Sequence, residues 1–124
     1  MKQIWIVDDD EEMSRAVRLM VKLLDGETTT LLNARAAAQA VLDGRRRDLF
    51  ILDINMPEVT GLDLLEFLRR RGETKNLPVV MLSTEASDVM VDRARSLGAD
   101  AYVSKPVTIE ELERAMNEAF AKRA

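Results

Sequence analysis

Three continuous apolar runs, separated by segments with helical spacing, constrain the fold of this chain more than any other feature. The runs occupy residues 4–7, 49–52 and 79–82. Unbroken apolar runs of this length are typical of strands that are buried on both faces of a sheet. Residues 101–103 form a shorter run, and residues 28–32 are β-branched but more polar, which suits a strand nearer an edge. The chain therefore contains five predicted strands.

Between these runs, apolar residues recur every three or four positions, which predicts five amphipathic helices. In the first helix the stripe includes Met13, Val17 and Val21. Four glycines stand where helices are expected to stop, as C-terminal glycines do: Gly26, Gly44, Gly72 and Gly98. Strands alternating with helices imply right-handed crossovers and a parallel sheet covered on both faces, an α/β fold.

The composition excludes several classes of site. The 124 residues include no cysteine and no histidine, which removes thiolate metal sites, thiol nucleophiles and the commonest general base. The net charge of −4 argues against nucleic acid as a primary ligand. Two basic runs, at residues 45–47 and 69–71, lie at predicted helix ends, where cations offset the helix dipole. With no signal-peptide core and no membrane-spanning run, we expect a cytoplasmic protein without membrane contact.

Polar residues follow the apolar runs where each strand ends. Asp8, Asp9 and Asp10 follow the first run, Asp53 the third, Ser83 and Thr84 the fourth, and Lys105 the fifth. Functional sites of open parallel sheets lie beyond the carboxyl ends of the strands. If the strand order is 2-1-3-4-5, the acids that end strands 1 and 3 converge, and clustered carboxylates need a cation between them. Carboxylates without His or Cys suit Mg²⁺, with Mn²⁺ as a second choice.

Asp53 is then a candidate nucleophile, because a carboxylate can accept a phosphoryl group and form an aspartyl phosphate. Such a transfer needs charge neutralisation and alignment more than covalent help, and Mg²⁺, Lys105 and the Ser83 hydroxyl would supply these. Simpler explanations exist for each residue alone, and for Asp10, which precedes a helix, N-capping is the better one. The hypothesis rests on acids, hydroxyl and lysine each following a different strand.

Four segments together resemble the signature blocks of response-regulator receiver domains. They are Ile6-Val7-Asp8-Asp9, Leu52-Asp53-Ile54-Asn55-Met56-Pro57, Leu82-Ser83-Thr84-Glu85-Ala86 and Tyr102-Val103-Ser104-Lys105-Pro106. The resemblance runs from near Lys2 to the last helix. Asn55 and Glu85 are of the type seen in the single-domain chemotaxis regulator. The resemblance implies a flavodoxin-like (βα)5 fold with strand order 2-1-3-4-5, formed by residues 1–124 as a single receiver domain.

The resemblance also implies roles for individual residues. Asp53 would be phosphorylated by a histidine kinase or phosphotransfer domain, and Lys105, after a cis bond to Pro106, would pair with the phosphoryl oxygens. Asp9 and Asp53, the backbone carbonyl of Asn55, and Asp8 directly or through water would hold Mg²⁺. A further two residues would act as switches: Ser83 would move toward the phosphate, and Tyr102 would change rotamer. The surface formed by the fourth helix, fifth strand and fifth helix would then bind a downstream protein target. No direct nucleic-acid binding by this domain is implied.

Three other functions remain open on the sequence alone. A phosphohydrolase of the haloacid dehalogenase type needs Asp-x-Asp-x-Thr after the first strand, and Asp8 and Asp10 have the spacing, but Glu12 stands in place of the threonine. Flavin binding needs a hydroxyl- and glycine-rich loop there, whereas acids repel phosphate. A receiver retained only as an interaction module would need none of the chemistry.

Overall fold

A computed structural model describes residues 1–85 and 87–124 of the chain. Five strands and five helices alternate along it. They are β1 (Lys2–Val7), α1 (Glu11–Leu23), β2 (Gly26–Leu31), α2 (Ala34–Val41), β3 (Leu49–Asp53), α3 (Gly61–Arg70), β4 (Val79–Ser83), α4 (Asp88–Ser96), β5 (Ala101–Ser104) and α5 (Ile109–Lys122). The predicted alternation is confirmed element by element.

The five strands form one parallel sheet with the order β2-β1-β3-β4-β5, so the predicted flavodoxin-like topology is correct. β3 and β4 are buried along their whole length, as their continuous apolar sequences require. β2 lies at the edge of the sheet, which explains its polar composition. It begins at Gly26, two residues before the predicted start.

Helices cover both faces of the sheet, and the side chains of each strand alternate between the two cores. Trp5 and Phe50 belong to the core beneath α2, α3 and α4, whereas Ile4 and Ile6 belong to the core beneath α1 and α5. The Trp5 and Phe50 rings meet edge to face, with centroids 5.8 Å apart. The guanidinium groups of Arg45 and Arg47 lie 5.2 and 5.3 Å from the Trp5 ring, which closes this side of the core.

The predicted helix ends are correct for three of the four glycines, because Gly44, Gly72 and Gly98 each follow a helix end within three residues. Gly44 and Gly98 have positive φ values of 72° and 111°, a conformation that glycine adopts without steric cost. After α1, however, Asp25 takes the left-handed conformation with φ 66°, and Gly26 is already the first residue of β2. Aspartate tolerates this conformation better than most residues, so the helix ends one residue earlier than predicted.

The basic run at the end of α3 does more than offset the helix dipole. The Arg69 side chain is only 12% exposed and donates to the Asp100 carboxylate at 3.0 Å. Arg123 at the end of α5 donates to the other oxygen of Asp100 at 2.9 Å. This network joins α3, α5 and the start of β5 at the amino-terminal edge of the sheet, which leaves the carboxyl edge for the site. None of the helices in the described ranges has the length and apolar content that crossing a bilayer requires.

Candidate functional site

The acids predicted to converge do so at the carboxyl edge of the sheet. β1 and β3 are neighbours, with Val7 opposite Leu52, so Asp8 and Asp53 leave the sheet side by side. Asp8, Asp9 and Asp53 each offer a carboxylate oxygen, and these three oxygens lie within 4.8 Å of one another. Three acids from two strand ends thus form one cluster, although 45 residues separate Asp8 from Asp53 in the sequence.

The three consecutive acids after β1 have different surroundings. Asp8 is fully buried, and its Oδ1 accepts a hydrogen bond from the backbone N–H of Asp10 at 2.9 Å. Asp9 is exposed and completes the cluster from the solvent side. Asp10 points away and caps α1, since its Oδ1 accepts from the N–H groups of Glu12 and Met13. The interpretation of Asp10 as an N-cap is therefore confirmed.

Lys105 brings a positive charge to the cluster from the end of β5. Its Nζ lies 3.1 Å from Oδ1 of Asp53 and 3.3 Å from Oδ2 of Asp8, and its side chain is 11% exposed. Burial acts against the charge on this lysine, but the carboxylates of Asp8 and Asp53 outweigh burial and raise the Lys105 pKa above its ordinary value. The Lys105–Pro106 bond is cis, as predicted. One buried ammonium group therefore pairs with two carboxylates of a cluster of three, which leaves an excess of negative charge.

Ser83 and Asn55 lie beside the cluster and contact each other. The Ser83 hydroxyl is fully buried and donates to the side-chain oxygen of Asn55 at 3.0 Å. The backbone N–H of Asn55 donates to Oδ1 of Asp53 at 3.2 Å. In the metal site predicted from the sequence, Asn55 contributes its backbone carbonyl, and the contact of its side chain with Ser83 was not predicted. Pairing of an exposed amide with a buried hydroxyl 28 positions away leaves no local signal in the sequence.

Tyr102 is not part of the acidic cluster, but a short series of hydrogen bonds connects it with Ser83. The Tyr102 hydroxyl donates to the backbone carbonyl of Glu85 at 2.5 Å. The N–H of Glu85 in turn donates to the Ser83 hydroxyl oxygen at 3.0 Å. Ala86, the last residue of the third of the four signature segments, lies outside the described residues. Ser83, Glu85 and Tyr102 thus connect the edge of the site with the face of β5.

Asp8 is the titratable group that the site perturbs most clearly. Burial raises the pKa of Asp8 to about 6. The hydrogen bond from Asp10 opposes this rise, the nearby charge of Asp53 adds to it, and Lys105 again opposes it. A carboxylate whose pKa rises on folding favours the protonated form of the folded protein. At neutral pH, therefore, the ionised Asp8 destabilises the fold when no cation other than Lys105 balances the cluster.

The substitution Asp8→Asn is expected to stabilise the metal-free protein at pH 7.5 by about 1–2 kcal/mol, because the amide resembles the neutral acid. The folded protein binds the Asp8 proton more tightly than the unfolded chain does. The free energy of unfolding of the wild type therefore falls as pH rises from about 4 to 6, and above 6 it is lowered by the full cost of ionising Asp8. The advantage of the variant should develop over the same interval. Urea unfolding with EDTA between pH 4 and 8 measures it, and a constant difference at all pH values would contradict the assignment.

Gly61, the first residue of α3, packs directly against the backbone that carries Asp53. Its N–H donates to the Ile54 carbonyl at 3.0 Å, and a Cβ placed on it would overlap the carbonyl oxygen of Asp53. Gly61 was not among the site residues predicted from the sequence. The available signal was a glycine directly after Thr60, the N-cap of α3, since glycine at the start of a helix marks close approach of two backbones. The missing side chain of Gly61 thus allows the start of α3 to pack directly on the backbone of Asp53.

The donor set of the cluster fits the predicted divalent cation. Three carboxylates from Asp8, Asp9 and Asp53 supply hard oxygen ligands, and the chain has no histidine or cysteine that would favour a softer metal. Mg²⁺ is commonly held by a few carboxylates and several waters, and Mn²⁺ accepts the same ligands. Among the described residues, Lys105 is the only cation close to the cluster. The remaining negative charge therefore favours the binding of a divalent cation.

Comparison with known proteins agrees with this geometry. Residues 4–117 match the family described as "Response regulator receiver domain". The chain is 32% identical over 120 residues to the chemotaxis protein CheY of Pseudomonas aeruginosa, covering 97% of both chains. It is 36% identical over 110 residues to the phosphate regulon transcriptional regulatory protein PhoB of Rhizobium meliloti, covering 89% of this chain and 48% of that protein.

Solved structures show the same relationship. The chemotaxis protein CheY4 of Vibrio cholerae has a TM-score of 0.89 and 27% identity, covering 96% of this chain and 98% of its own. A CheY-like receiver domain protein of Methanospirillum hungatei has a TM-score of 0.86 and 25% identity, covering 99% of this chain and 96% of its own. The backbone arrangement described above therefore extends over the whole length of these proteins.

Proposed function

Because the chain belongs to the response regulator receiver domain family, we propose that Asp53 accepts a phosphoryl group from a histidine kinase or a phosphotransfer domain. The observation that supports this most is the meeting of Asp53 with Asp8, Asp9 and Lys105 at one end of the sheet. Incubation with acetyl phosphate and Mg²⁺, followed by intact-mass measurement and peptide mapping, tests the proposal. A single phosphoryl adduct on the peptide that contains Asp53 is expected.

The protein is a signalling switch of two-component systems rather than a catalytic enzyme. The haloacid dehalogenase alternative and flavin binding therefore lose their support. In the proposal, residues 1–124 form a single receiver domain that acts in the cytoplasm and binds no nucleic acid itself. The relatives include a protein of the same length, CheY, and one about twice as long, PhoB, so either arrangement occurs among similar chains.

In the proposed reaction, a carboxylate oxygen of Asp53 attacks the phosphorus of a phosphohistidine. An O–P bond forms, the N–P bond breaks, and the imidazole keeps the electron pair and takes up a proton. Attack by a carboxylate releases no proton, so the chain needs no general base. Lys105, 3.1 Å from Asp53, neutralises the negative charge that the phosphoryl oxygens bring to the site.

Mg²⁺ is the proposed cofactor and would be held by the side chains of Asp9 and Asp53, by the backbone carbonyl of Asn55, and by Asp8 directly or through water. When bound, it would neutralise carboxylate and phosphoryl charge. The ligands differ in what they do without the metal. Asp8 and Asp53 are buried and already paired with Lys105, whereas Asp9 is exposed and has no ion pair within the described residues. A substitution of Asp9 should therefore change the affinity for the metal more than the stability of the metal-free protein.

Asp9→Asn is expected to remove most of the stabilisation that Mg²⁺ gives to the fold while changing the metal-free stability little. A ligand that binds only the folded state stabilises it in proportion to its affinity, and Asn retains one neutral oxygen in place of the charge. Melting temperatures with and without about 10 mM Mg²⁺, a concentration roughly tenfold above the Kd of the weakest protein Ca²⁺ sites, measure the difference.

Asp10→Asn is the matched control for Asp9→Asn. It makes the same chemical change at the next position, and Asn caps a helix as well as Asp does. It should therefore keep the response to Mg²⁺. If both variants respond to Mg²⁺ like the wild type, the proposed metal site is wrong.

Phosphorylation would give Ser83 and Lys105 a new partner and thereby change the surface formed by α4, β5 and α5. A phosphoryl group adds strong acceptor oxygens to Asp53, and Ser83 is connected to Tyr102 through Glu85. α4 is held loosely, since Ala94 is its one buried residue among those described, and loosely held elements move at low free-energy cost. We infer that this surface binds the downstream protein target.

A further inference from the structure

We propose that the side chain of Asn55 holds Ser83 in its unphosphorylated position, so that the amide competes with the phosphoryl group for the single hydroxyl proton. The proposal rests on phosphorylation of Asp53. It assigns to the Asn55 side chain a positioning role, separate from the metal-binding role of its backbone carbonyl. The switch of Ser83 then costs free energy, because the hydroxyl must leave the Asn55 oxygen before it can donate to a phosphoryl oxygen.

The hydrogen bonds around Ser83 define the competition. The Ser83 Oγ donates to the Asn55 side-chain oxygen at 3.0 Å and accepts from the Glu85 N–H at 3.0 Å. A serine hydroxyl has one proton to donate. In the unphosphorylated protein that proton is used by Asn55, so a phosphoryl oxygen on Asp53 can receive it only when the Asn55 bond breaks. The two acceptors exclude each other.

Ser83 and Asn55 differ in burial, and this difference determines what each of them loses when their hydrogen bond breaks. Ser83 is fully buried, so its hydroxyl needs a protein or phosphoryl acceptor at all times, since an unpaired buried hydroxyl is costly. Asn55 is exposed, so its amide oxygen can bind water once Ser83 has left. Release therefore costs the free energy of one ordinary hydrogen bond, and a charged phosphoryl oxygen is the stronger acceptor. The Ser83 hydroxyl should therefore prefer the phosphoryl oxygen, and the hydrogen bond to Asn55 should reduce this preference.

Asn55 contacts both Asp53 and Ser83. Its backbone N–H donates to Oδ1 of Asp53 at 3.2 Å, while its side chain accepts from Ser83. The main chain of Asn55 is thus fixed relative to the phosphorylated carboxylate, and the amide reaches Ser83 from that fixed point. If Asp53 shifts on phosphorylation, the hydrogen bonds of Asn55 to Asp53 and to Ser83 should both change.

A double-mutant cycle in the free protein tests the hydrogen bond without any phosphodonor. Asn55→Ala, Ser83→Ala and the double variant are unfolded in urea with EDTA present. Removing either partner breaks the bond and removing both breaks it once, so the shifts of the urea midpoint should not add. The double variant should be less destabilised than the sum of the single variants. Additive shifts would show that the two side chains do not interact and would overturn the proposal.

Affinity for beryllium fluoride, a phosphoryl mimic that binds carboxylates, tests the competition. With Mg²⁺ present, Asn55→Ala should bind it about 2- to 12-fold more tightly than the wild type, the range set by one net hydrogen bond. Alanine keeps the backbone carbonyl that the proposed metal site uses. In the Ser83→Ala background the same substitution should change nothing. Equal or weaker binding by Asn55→Ala, or the same gain without Ser83, would overturn the proposal.

The two experiments separate failure of this inference from failure of the proposed function. Wild-type protein that neither binds beryllium fluoride nor takes a label from acetyl phosphate would overturn phosphorylation of Asp53, and the competition with it. The cycle in the free protein would still report whether Asn55 holds Ser83. Normal labelling of the wild type with an additive cycle would overturn the positioning role alone.

Discussion

Asp53→Asn is expected to abolish labelling by acetyl phosphate and Mg²⁺, because an amide is too weak a nucleophile to form the acyl phosphate. The change leaves the hydrogen bond from the Asn55 N–H possible and removes one charge from a crowded acidic cluster. The variant should therefore fold at least as well as the wild type. Intact-mass measurement gives the labelled fraction, and urea unfolding gives the stability.

Asp43→Asn provides the matched control for this prediction. Asp43 is exposed, follows α2 at the other edge of the sheet and has no side-chain partner within the described residues. The same chemical change there should leave labelling intact. Label retained by Asp53→Asn at the wild-type level would place the phosphorylated residue elsewhere, and peptide mapping would then identify it.

Gly61→Ala is expected to destabilise the protein by about 2–4 kcal/mol. The added methyl group would overlap the carbonyl oxygen of Asp53 and also approach the backbone of Ile54. Backbone atoms of a buried strand cannot rotate away as a side chain can, so α3 or the end of β3 must shift. Because that shift moves Asp53 relative to Lys105, labelling by acetyl phosphate should also slow. Urea unfolding and the initial rate of labelling measure the two effects.

Gly72→Ala separates this packing effect from the general cost of replacing a glycine. A Cβ at Gly72 would meet no atom within 4 Å, and its φ lies outside the left-handed region. Alanine there should be neutral or slightly stabilising, because it restricts the unfolded chain. If Gly61→Ala is as stable as Gly72→Ala, the close approach of α3 to Asp53 is wrong.

Most of the fold could be predicted because β1, β3 and β4 are buried on both faces. Continuous apolar runs record that burial directly, and the alternation with helices leaves few topologies. The main components of the site followed from the same logic. Asp8, Asp53, Ser83 and Lys105 stand at strand ends, and parallel strands bring their carboxyl ends together. Position in the sequence therefore carried most of the spatial information.

The features that the sequence did not predict depend on contacts between loops and between backbones. The bond between Asn55 and Ser83 joins a loop residue after β3 to the last residue of β4, and no periodicity in the sequence records their relative orientation. The close packing of Gly61 on Asp53 involves main-chain atoms, which are the same in every residue. The end of α1 was misplaced because Asp25 adopts the conformation expected of Gly26, and several residue types can satisfy such a turn.

Trp5 gives the protein an optical probe of its own stability. It is the only tryptophan in the chain, it is 1% exposed, and it lies against Phe50 and beneath two guanidinium groups. Its emission should be blue-shifted in the folded protein and should move to longer wavelength on unfolding. Since its ring belongs to the core rather than to the acidic cluster, changes at Asp8, Gly61 or Gly72 can be followed by fluorescence without attaching a dye.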